Sequence, residues 1–245
     1  MSQDAPAAPK FLDAGEAALV VEFGRSVDPT LSDRVLALDA ALAANPPEGL
    51  RELVPTYRSL MIHYDPLRLD RARLVSHVRA ALSGPAPVAS RSGALWTLPC
   101  CYAPPHGEDL AEMAGLLGLT ADRAAQFHAA GRYRVYMYGF SPGFTYLGGL
   151  PEPLAISRRP RPRPPHDSRA VLVGGGLCAV AHFAMPTGWY VVGRTPERLY
   201  APERSSAFLF EPGDELAFEA IDTATFAALQ ARAEAGEVVA RRKPA

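Results

Sequence analysis

One uncharged segment, residues 136–151, combines the aromatic side chains, glycines and prolines that suit a binding loop. It reads Tyr-Met-Tyr-Gly-Phe-Ser-Pro-Gly-Phe-Thr-Tyr-Leu-Gly-Gly-Leu-Pro. Because glycine loosens the backbone and proline fixes φ and removes a donor, the segment is not expected to form one continuous helix or strand. Binding and catalytic residues are found on loops disproportionately often. The segment therefore predicts a shaped loop lined by aromatic rings.

Arginines supply the charged groups that could work beside this loop. In residues 158–165 arginines alternate with prolines, which hold a backbone extended. Arginine suits bidentate capture of a carboxylate or phosphate, although a solvated charged loop is the alternative interpretation. Further along, a predicted strand begins near Trp189 and ends at Gly193-Arg194, where the arginine could point into a cleft. These features predict a cleft that recognises a small anionic substrate.

Several common catalytic motifs are absent from the sequence. It contains no GxxxxGK[ST] phosphate loop and no GxSxG nucleophile elbow. Three glycines at 174–176 follow an apolar run, but without further glycine spacing or an amphipathic helix a tight turn or bulge is favoured. The three cysteines make no disulfide framework, and the histidines do not stand at zinc-ligand spacing. We therefore expect no metal to be bound by this chain alone.

The remaining cysteines and histidines have mainly structural interpretations. Cys100 and Cys101 lie in a predicted strand, where alternation would place one thiol inside and the other outside. His128, at the end of a predicted helix, is either a C-terminal charge or an acid-base group in a cleft. His182 lies in an apolar strand and is interpreted as a core histidine with satisfied hydrogen bonds.

Composition excludes several classes of partner. The chain has 245 residues, 48% of them hydrophobic, and a formal net charge of -1. This balance gives no reason to expect nucleic-acid or anionic membrane binding. No apolar run approaches the roughly 20 residues that span a bilayer, and the N-terminus lacks the apolar region of a signal peptide. We expect a cytoplasmic protein.

The pattern of elements predicts two domains. The order β-α-β-β-α in residues 11–82 predicts a small ferredoxin-like α+β domain. Residues 83–93 are small, polar and proline-bearing, as in a linker. Residues 94–225 contain a helical excursion at 107–130 and then short strands between glycine and proline turns, which favours a β-barrel or sandwich. Residues 226–245 are expected to form a C-terminal helix and tail.

The order of these motifs resembles the 5-oxoprolinase B-subunit family, also called KipI-like or allophanate hydrolase subunit 1. The glycine-aromatic loop, the arginine-proline run, the Gly-Trp-x-x-x-Gly-Arg-Thr-Pro segment and a late Pro-Gly-Asp turn follow one another as in that family. The resemblance implies that the second domain is a cyclophilin-like β-barrel. It also implies a complex with a second, KipA-like 5-oxoprolinase subunit and with a third subunit of the LamB/YcsF type.

The resemblance further implies ATP-dependent opening of 5-oxoproline or a related small amide acid. ATP would bind at or near the interface with the partner subunit. Two alternatives remain open, because one fold supports several functions. One is a carboxyltransferase half of a urea carboxylase or allophanate-type system, and the other is a KipI-like, non-catalytic inhibitor of a histidine kinase.

The resemblance also assigns site residues by position. This sequence departs from the family pattern at Leu177 and Cys178. The family usually has a glutamine and a threonine there, and each could form a hydrogen bond with a substrate. The substrate carboxylate is expected on Arg159 or Arg194. We assign catalytic roles to Arg194, Arg159 and Tyr146. Substrate-binding roles are assigned to Gly139, Phe140, Pro142, Gly143, Phe144, Arg158, Arg163, Trp189, Gly193 and Thr195.

Overall fold

A computed structural model describes residues 8–84 and 93–243. They fall into two compact units that divide where the predicted linker lies. Most of that linker, residues 85–92, is outside the described residues. No helix in the described ranges is both long enough and apolar enough to cross a membrane.

The N-terminal unit is a four-stranded antiparallel sheet with two helices. The sheet order is β1-β2-β4-β3, and the helices contribute Val35, Leu38, Leu42, Leu74 and Val78 to the core. The ferredoxin-like topology is not confirmed. That topology has the element order β-α-β-β-α-β, whereas residues 8–84 have the order β-β-α-β-β-α, with the additional strand β1 at the start. The elements are β1 (Lys10–Asp13), β2 (Ala18–Glu22), α1 (Pro29–Ala44), β3 (Leu50–Pro55), β4 (Ser59–Tyr64) and α2 (Arg71–Ser83).

The second unit is built on a closed barrel of seven strands. Neighbouring strands run in the order β12-β9-β10-β7-β6-β13-β5, and the pairing of Arg194 with Cys101 joins β12 back to β5. The predicted barrel is therefore present, while its cyclophilin-like topology stays a prediction. The strands are β5 (Leu95–Cys101), β6 (Arg132–Tyr138), β7 (Thr145–Gly148), β8 (Arg163–His166), β9 (Ala170–Gly174), β10 (Leu177–Val180), β11 (Met185–Thr187), β12 (Tyr190–Arg194), β13 (Glu215–Ile221) and β14 (Arg241–Lys243).

Helices lie between and after the strands of this unit. The predicted helical excursion is α3 (Leu110–Leu116) followed by α4 (Ala121–Ala130), with Thr120 capping α4 as expected. The last helix, α5 (Thr223–Glu234), begins three residues before the predicted boundary at 226. The chain after it is not only a tail, because β14 pairs with β5.

The barrel wall has two apolar faces, because successive side chains of a strand point to opposite sides. The inner face encloses the main core, with Val135, Leu147, Val171, Val173 and Val192 fully buried. The outer face of strands β7, β9, β10 and β12 carries a second cluster. Its members are Phe144, Ala170, Leu172, Ala179, Ala181, Trp189 and Val191, with Tyr146, Leu177 and Met185 packed against them.

Candidate functional site

The outer face of the barrel wall carries a row of aromatic rings, which we call the aromatic shelf: Phe144, Tyr146 and Trp189. The ring centroids of Phe144 and Tyr146 are 4.8 Å apart, and those of Tyr146 and Trp189 are 6.4 Å apart. Tyr146 is half-buried, and burial raises the pKa of its phenol while the nearby charge of Arg158 opposes that shift. The shelf thus offers apolar ring faces with a protonated hydroxyl among them.

The loop between β6 and β7 extends this shelf. Residues 139–144 form a closed turn, because the amide of Gly139 donates to the Phe144 carbonyl at 3.2 Å. Gly143 has φ 75°, and a Cβ there would lie 2.6 Å from the Cβ of Tyr200. The central part of the predicted loop is therefore confirmed as irregular backbone, whereas residues 136–138 belong to β6 and residues 145–148 to β7.

Phe140 occupies an unusual place in this loop. Its φ of 66° is left-handed, which is rare for a bulky residue, and its side chain is 78% exposed. The ring lies 5.7 Å from that of Phe144, and Pro142 beside it is exposed. Strained backbone of this kind clusters at functional sites.

Arg158 is the arginine that reaches the aromatic shelf. Its guanidinium carbon lies 5.3 Å from the centre of the Trp189 ring, within the range of a cation–π contact. Arg158 is exposed, and no carboxylate within residues 8–84 or 93–243 pairs with it. Its charge is therefore available to an anionic ligand that lies on the shelf.

The glycine triplet explains how Trp189 and Arg158 approach the strand ends. Gly175 and Gly176 both have positive φ and join β9 to β10, as in a two-residue hairpin turn. A Cβ on Gly174 would lie 3.1 Å from the Trp189 ring, and one on Gly175 would lie 3.6 Å from Nε of Arg158. The tight-turn interpretation of this triplet is confirmed.

Arg159 and Arg163 are held by acidic residues near the start of α3. Nη1 and Nη2 of Arg159 both donate hydrogen bonds to Oε2 of Glu112, at 2.9 and 2.8 Å. Arg163 bonds Asp109 at 2.9 Å and also pairs with Glu108. Sequence analysis did not anticipate these partners, although acidic residues at positions 108, 109 and 112 are a visible signal for them.

Arg194 is also paired within the protein. Its Nη1 lies 3.0 Å from the Asp167 carboxylate, and its Nε donates to the Ser168 carbonyl at 3.1 Å. The guanidinium lies 5.4 Å from the Phe226 ring on α5. The ion pairs and ring contacts found for Arg159, Arg163 and Arg194 in the described part of the chain include none of the shelf rings.

Gly193 and Thr195 serve the closure of the barrel. A Cβ on Gly193 would lie 2.7 Å from Sγ of Cys100, so the two strands could not keep their present spacing. Thr195 is fully buried, and its hydroxyl accepts from the amide of Glu197 at 3.2 Å. Packing and hydrogen bonding thus give a structural reason for a glycine at position 193 and a threonine at position 195. The substrate contacts assigned to both residues stay predictions.

The two departures from the family pattern lie on opposite faces of the wall. Leu177 packs on the outer cluster, whereas Cys178 is fully buried in the inner core. Nε2 of His128 lies 3.4 Å from Sγ of Cys178. Strand alternation thus turns position 178 into the barrel, so its side chain does not face a ligand that lies on the outer wall.

The other cysteine and histidine predictions are also corrected. Cys100 and Cys101 are both fully buried, because the start of α5 covers the outer thiol. His128 is buried among Tyr102, Tyr133 and Phe218, and burial lowers its pKa to about 3, so it is neither a surface charge nor a cleft acid.

His182 lies beside the aromatic loop, not in the core. It is half-buried, and Nδ1 has no hydrogen-bond partner within the described ranges. Burial and three nearby arginines lower its pKa to about 4. The described residues also contain no group of three or more His, Cys, Asp and Glu side chains placed to hold a metal ion.

The fold of the chain is shared with solved structures. Urea amidolyase from Kluyveromyces lactis superposes with a TM-score of 0.76 at 16% identity, covering 99% of this chain and 17% of that one. The protein TTHA0988 superposes with a TM-score of 0.75 at 35% identity, covering 84% of this chain and 40% of that one. The chain therefore shares its fold with parts of these larger proteins, and it spans a minority of each of them.

Residues 9–210 match the family model described as carboxyltransferase domain, subdomain C and D, and the chain belongs to that family. The B subunit of 5-oxoprolinase from Bacillus subtilis (strain 168) is 28% identical over 83% of this chain and 89% of that protein. The B subunit of 5-oxoprolinase from Escherichia coli O157:H7 is 38% identical over 49% of this chain and 56% of that protein. The family resemblance inferred from the motifs is confirmed.

Proposed function

We propose that the chain is a subunit of an ATP-dependent amidohydrolase of the 5-oxoprolinase type, which opens 5-oxoproline or a related small amide acid. The names of its relatives in Bacillus subtilis and Escherichia coli support this class of activity. The single observation that carries the proposal is the placement of Arg158 over Trp189, beside the Tyr146 hydroxyl and without a carboxylate partner in the described chain.

The geometry suits a small ring that bears a carboxylate. The ring would lie on the apolar faces of the shelf, and Arg158 would hold the acid group through charge-assisted hydrogen bonds. The phenol of Tyr146, whose pKa burial raises above its ordinary value, would donate to the amide oxygen. Arg158 thereby takes the carboxylate-binding role first expected of Arg159 or Arg194, because each of those would have to exchange a protein carboxylate for the substrate.

The proposed activity needs further subunits and ATP. The shelf offers one arginine without a carboxylate partner in the described chain, which is little charge for a triphosphate, so we assign ATP to the partner subunit or to the interface with it. The expected partners are a second, KipA-like subunit and a third subunit of the LamB/YcsF type. ATP would supply the phosphoryl group that activates the amide oxygen and would leave as ADP, while the residues of this chain would orient the substrate.

The test is reconstitution of this chain with the products of the neighbouring genes. We expect ATP-dependent release of glutamate from 5-oxoproline, and Arg158→Ala should lower kcat/KM about 10- to 100-fold, as for loss of a charged hydrogen bond. Arg161→Ala is the matched control, because Arg161 is an exposed arginine of the same run. No glutamate release, beside an active complex measured in parallel, would refute the proposal.

A carboxyltransferase half is the second candidate. The description of the family and the barrel shared with urea amidolyase favour it. Carboxyl transfer to or from biotin, measured with the same reconstituted subunits, would distinguish it from amide hydrolysis. A KipI-like inhibitor would instead leave both reactions absent and lower the autophosphorylation of a cytosolic histidine kinase that it binds in a pull-down.

A further inference from the structure

A cleft in the barrel unit lies between β5, the loop before β13 and the C-terminal segment. Its volume is about 440 Å³, within the range of small-molecule sites. None of its lining residues belongs to the aromatic shelf or to the loop at 139–144. The lining residues are Trp96, Arg204, Ser205, Ser206, Phe208, Leu209, Glu211, Asp214, Gly236, Val238 and Arg242.

The acidic residues of the cleft are already used by the protein. Oδ1 of Asp214 accepts from the amide of Ala94 at 2.9 Å. Its Oδ2 accepts from the indole of Trp96 at 2.9 Å and from the amide of Glu211 at 3.0 Å. Glu211 itself has a partner within the protein. These two carboxylates therefore offer little to a ligand.

The two arginines of the cleft differ in the charge that they offer to a ligand. Arg204 bonds the Arg198 carbonyl at 2.7 Å and Glu197 at 3.2 Å, but its buried Nε has no partner in the described chain. Arg242 is exposed, lies 5.6 Å from the Trp96 ring, and has no carboxylate partner among residues 8–84 and 93–243. The positive charge that the cleft offers to a ligand is therefore mainly that of Arg242, because Arg204 is already paired with Glu197.

Apolar groups complete the cleft. The side chains of Phe208 and Val238 are 39% and 45% exposed, which is high for large hydrophobic residues. Both line the cleft together with the ring of Trp96. A planar apolar group could cover the exposed side chains of Phe208 and Val238 while an attached anion reached Arg242 and the Ser205 hydroxyl. The Ser206 hydroxyl already donates to the Phe208 carbonyl at 2.8 Å.

We propose that this cleft is a second ligand site, which binds a small molecule that contains a planar ring and a carboxylate or phosphate group. The site is separate from the aromatic shelf and does not depend on the function proposed for the shelf. Its donors, ring faces and volume define the ligand class, and carboxylate and phosphate share the chemistry that the arginines recognise.

The two tryptophans of the chain make the test specific, since Trp96 lies in the cleft and Trp189 on the shelf. In the full-length Trp189→Phe variant the remaining indole reports the cleft alone. We would titrate this variant with benzoate and with AMP, each to about 10 mM, ten times the Kd of a weak millimolar site. A saturable fluorescence change with benzoate identifies a carboxylate ligand, and one with AMP identifies a phosphate ligand. Adenosine, which lacks the anion, should give no saturable change.

Arg242→Ala in the same background should weaken binding at least tenfold, measured by fluorescence and by isothermal titration. Arg241→Ala is the matched control, because Arg241 pairs with Glu219 at 2.8 Å and does not line the cleft. Circular dichroism would confirm that both variants fold. The proposal is overturned if neither anion gives a saturable change, if adenosine binds equally well, or if the two arginine variants behave alike.

Discussion

At the scale of single residues, the arginines of this protein differ in whether they can bind a ligand. Arg158 and Arg159 are adjacent in sequence, yet one lies over a tryptophan and the other donates from both terminal nitrogens to one oxygen of Glu112. A guanidinium that is already paired with a carboxylate gains little from a second one, because the substrate must first displace the protein's own oxygen atoms. The presence or absence of a carboxylate partner within the protein therefore distinguishes structural arginines from those that can bind a ligand.

His128 allows a pH-dependent prediction at this scale. Burial lowers its pKa to about 3, so between pH 6.5 and 3 the unfolded chain binds a proton that the folded chain does not. Above pH 6.5 the protonation of His128 does not lower the free energy of unfolding. Below pH 6.5 that free energy decreases by about 1.4 kcal/mol per pH unit, until the pH reaches the pKa of the folded state. Urea unfolding at several pH values measures this slope.

His128→Gln should flatten the pH dependence. Glutamine does not titrate, yet its side-chain amide offers one acceptor and one donor group for the two contacts of the imidazole, with the Tyr102 hydroxyl at 2.8 Å and with Sγ of Cys178 at 3.4 Å. His182 remains in the variant and keeps its own contribution, since its pKa is also lowered, to about 4. An unchanged slope in the variant would show that His128 does not titrate on unfolding as inferred.

At the scale of elements, glycine decides where two strands can approach. The pairing of β12 with β9 shifts register between Val191 and Gly193, and β12 then meets β5 at Arg194 and Cys101. Gly193 is the point where these strands close the barrel. Its place in a family motif thus has a packing explanation alongside the predicted substrate contact.

Gly193→Ala should destabilise the protein by about 1–3 kcal/mol, because the added methyl would lie 2.7 Å from Sγ of Cys100 and 2.9 Å from the Cys101 carbonyl. The free energy of unfolding in urea measures this loss. Gly188→Ala is the matched control, since a Cβ there meets nothing within 4 Å. Equal stability of the two variants would contradict the packing role.

At the scale of the barrel unit, one buried carboxylate connects the C-terminal segment to the rest. Glu197 is fully buried and accepts from the amides of Val239 and Ala240 at 2.6 and 2.7 Å through one oxygen. The other oxygen accepts from the amide of Arg198 and from the side chain of Arg204. This clamp holds the segment that leads into β14.

Glu197→Gln should cost about 1–3 kcal/mol, because one acceptor oxygen becomes an NH₂ group that faces N–H donors. Hydrogen exchange should increase first at the amides of Val239 and Ala240. Glu219→Gln, which removes an exposed pair with Arg241, should change stability by less than about 1 kcal/mol. Similar losses in both variants would show that the clamp is no stronger than a surface ion pair.

The sequence by itself determined the local features of this protein. Glycine and proline in residues 136–151 predicted an irregular loop, the triplet at 174–176 predicted a tight turn, and strand spacing predicted a β-barrel or sandwich. Each of these depends on φ preferences or on periodicity, which act within a few residues. The family also followed from the order of the motifs.

Only the tertiary structure decided which groups face one another. Strand alternation allowed Cys178 on either face, and the packing of His128 placed it inside the barrel. Sequence could not show that Glu112 and Asp167 would neutralise Arg159 and Arg194 while Arg158 reached Trp189. Such contacts join residues up to 50 positions apart, and the closure of the barrel, not local propensity, brings them together.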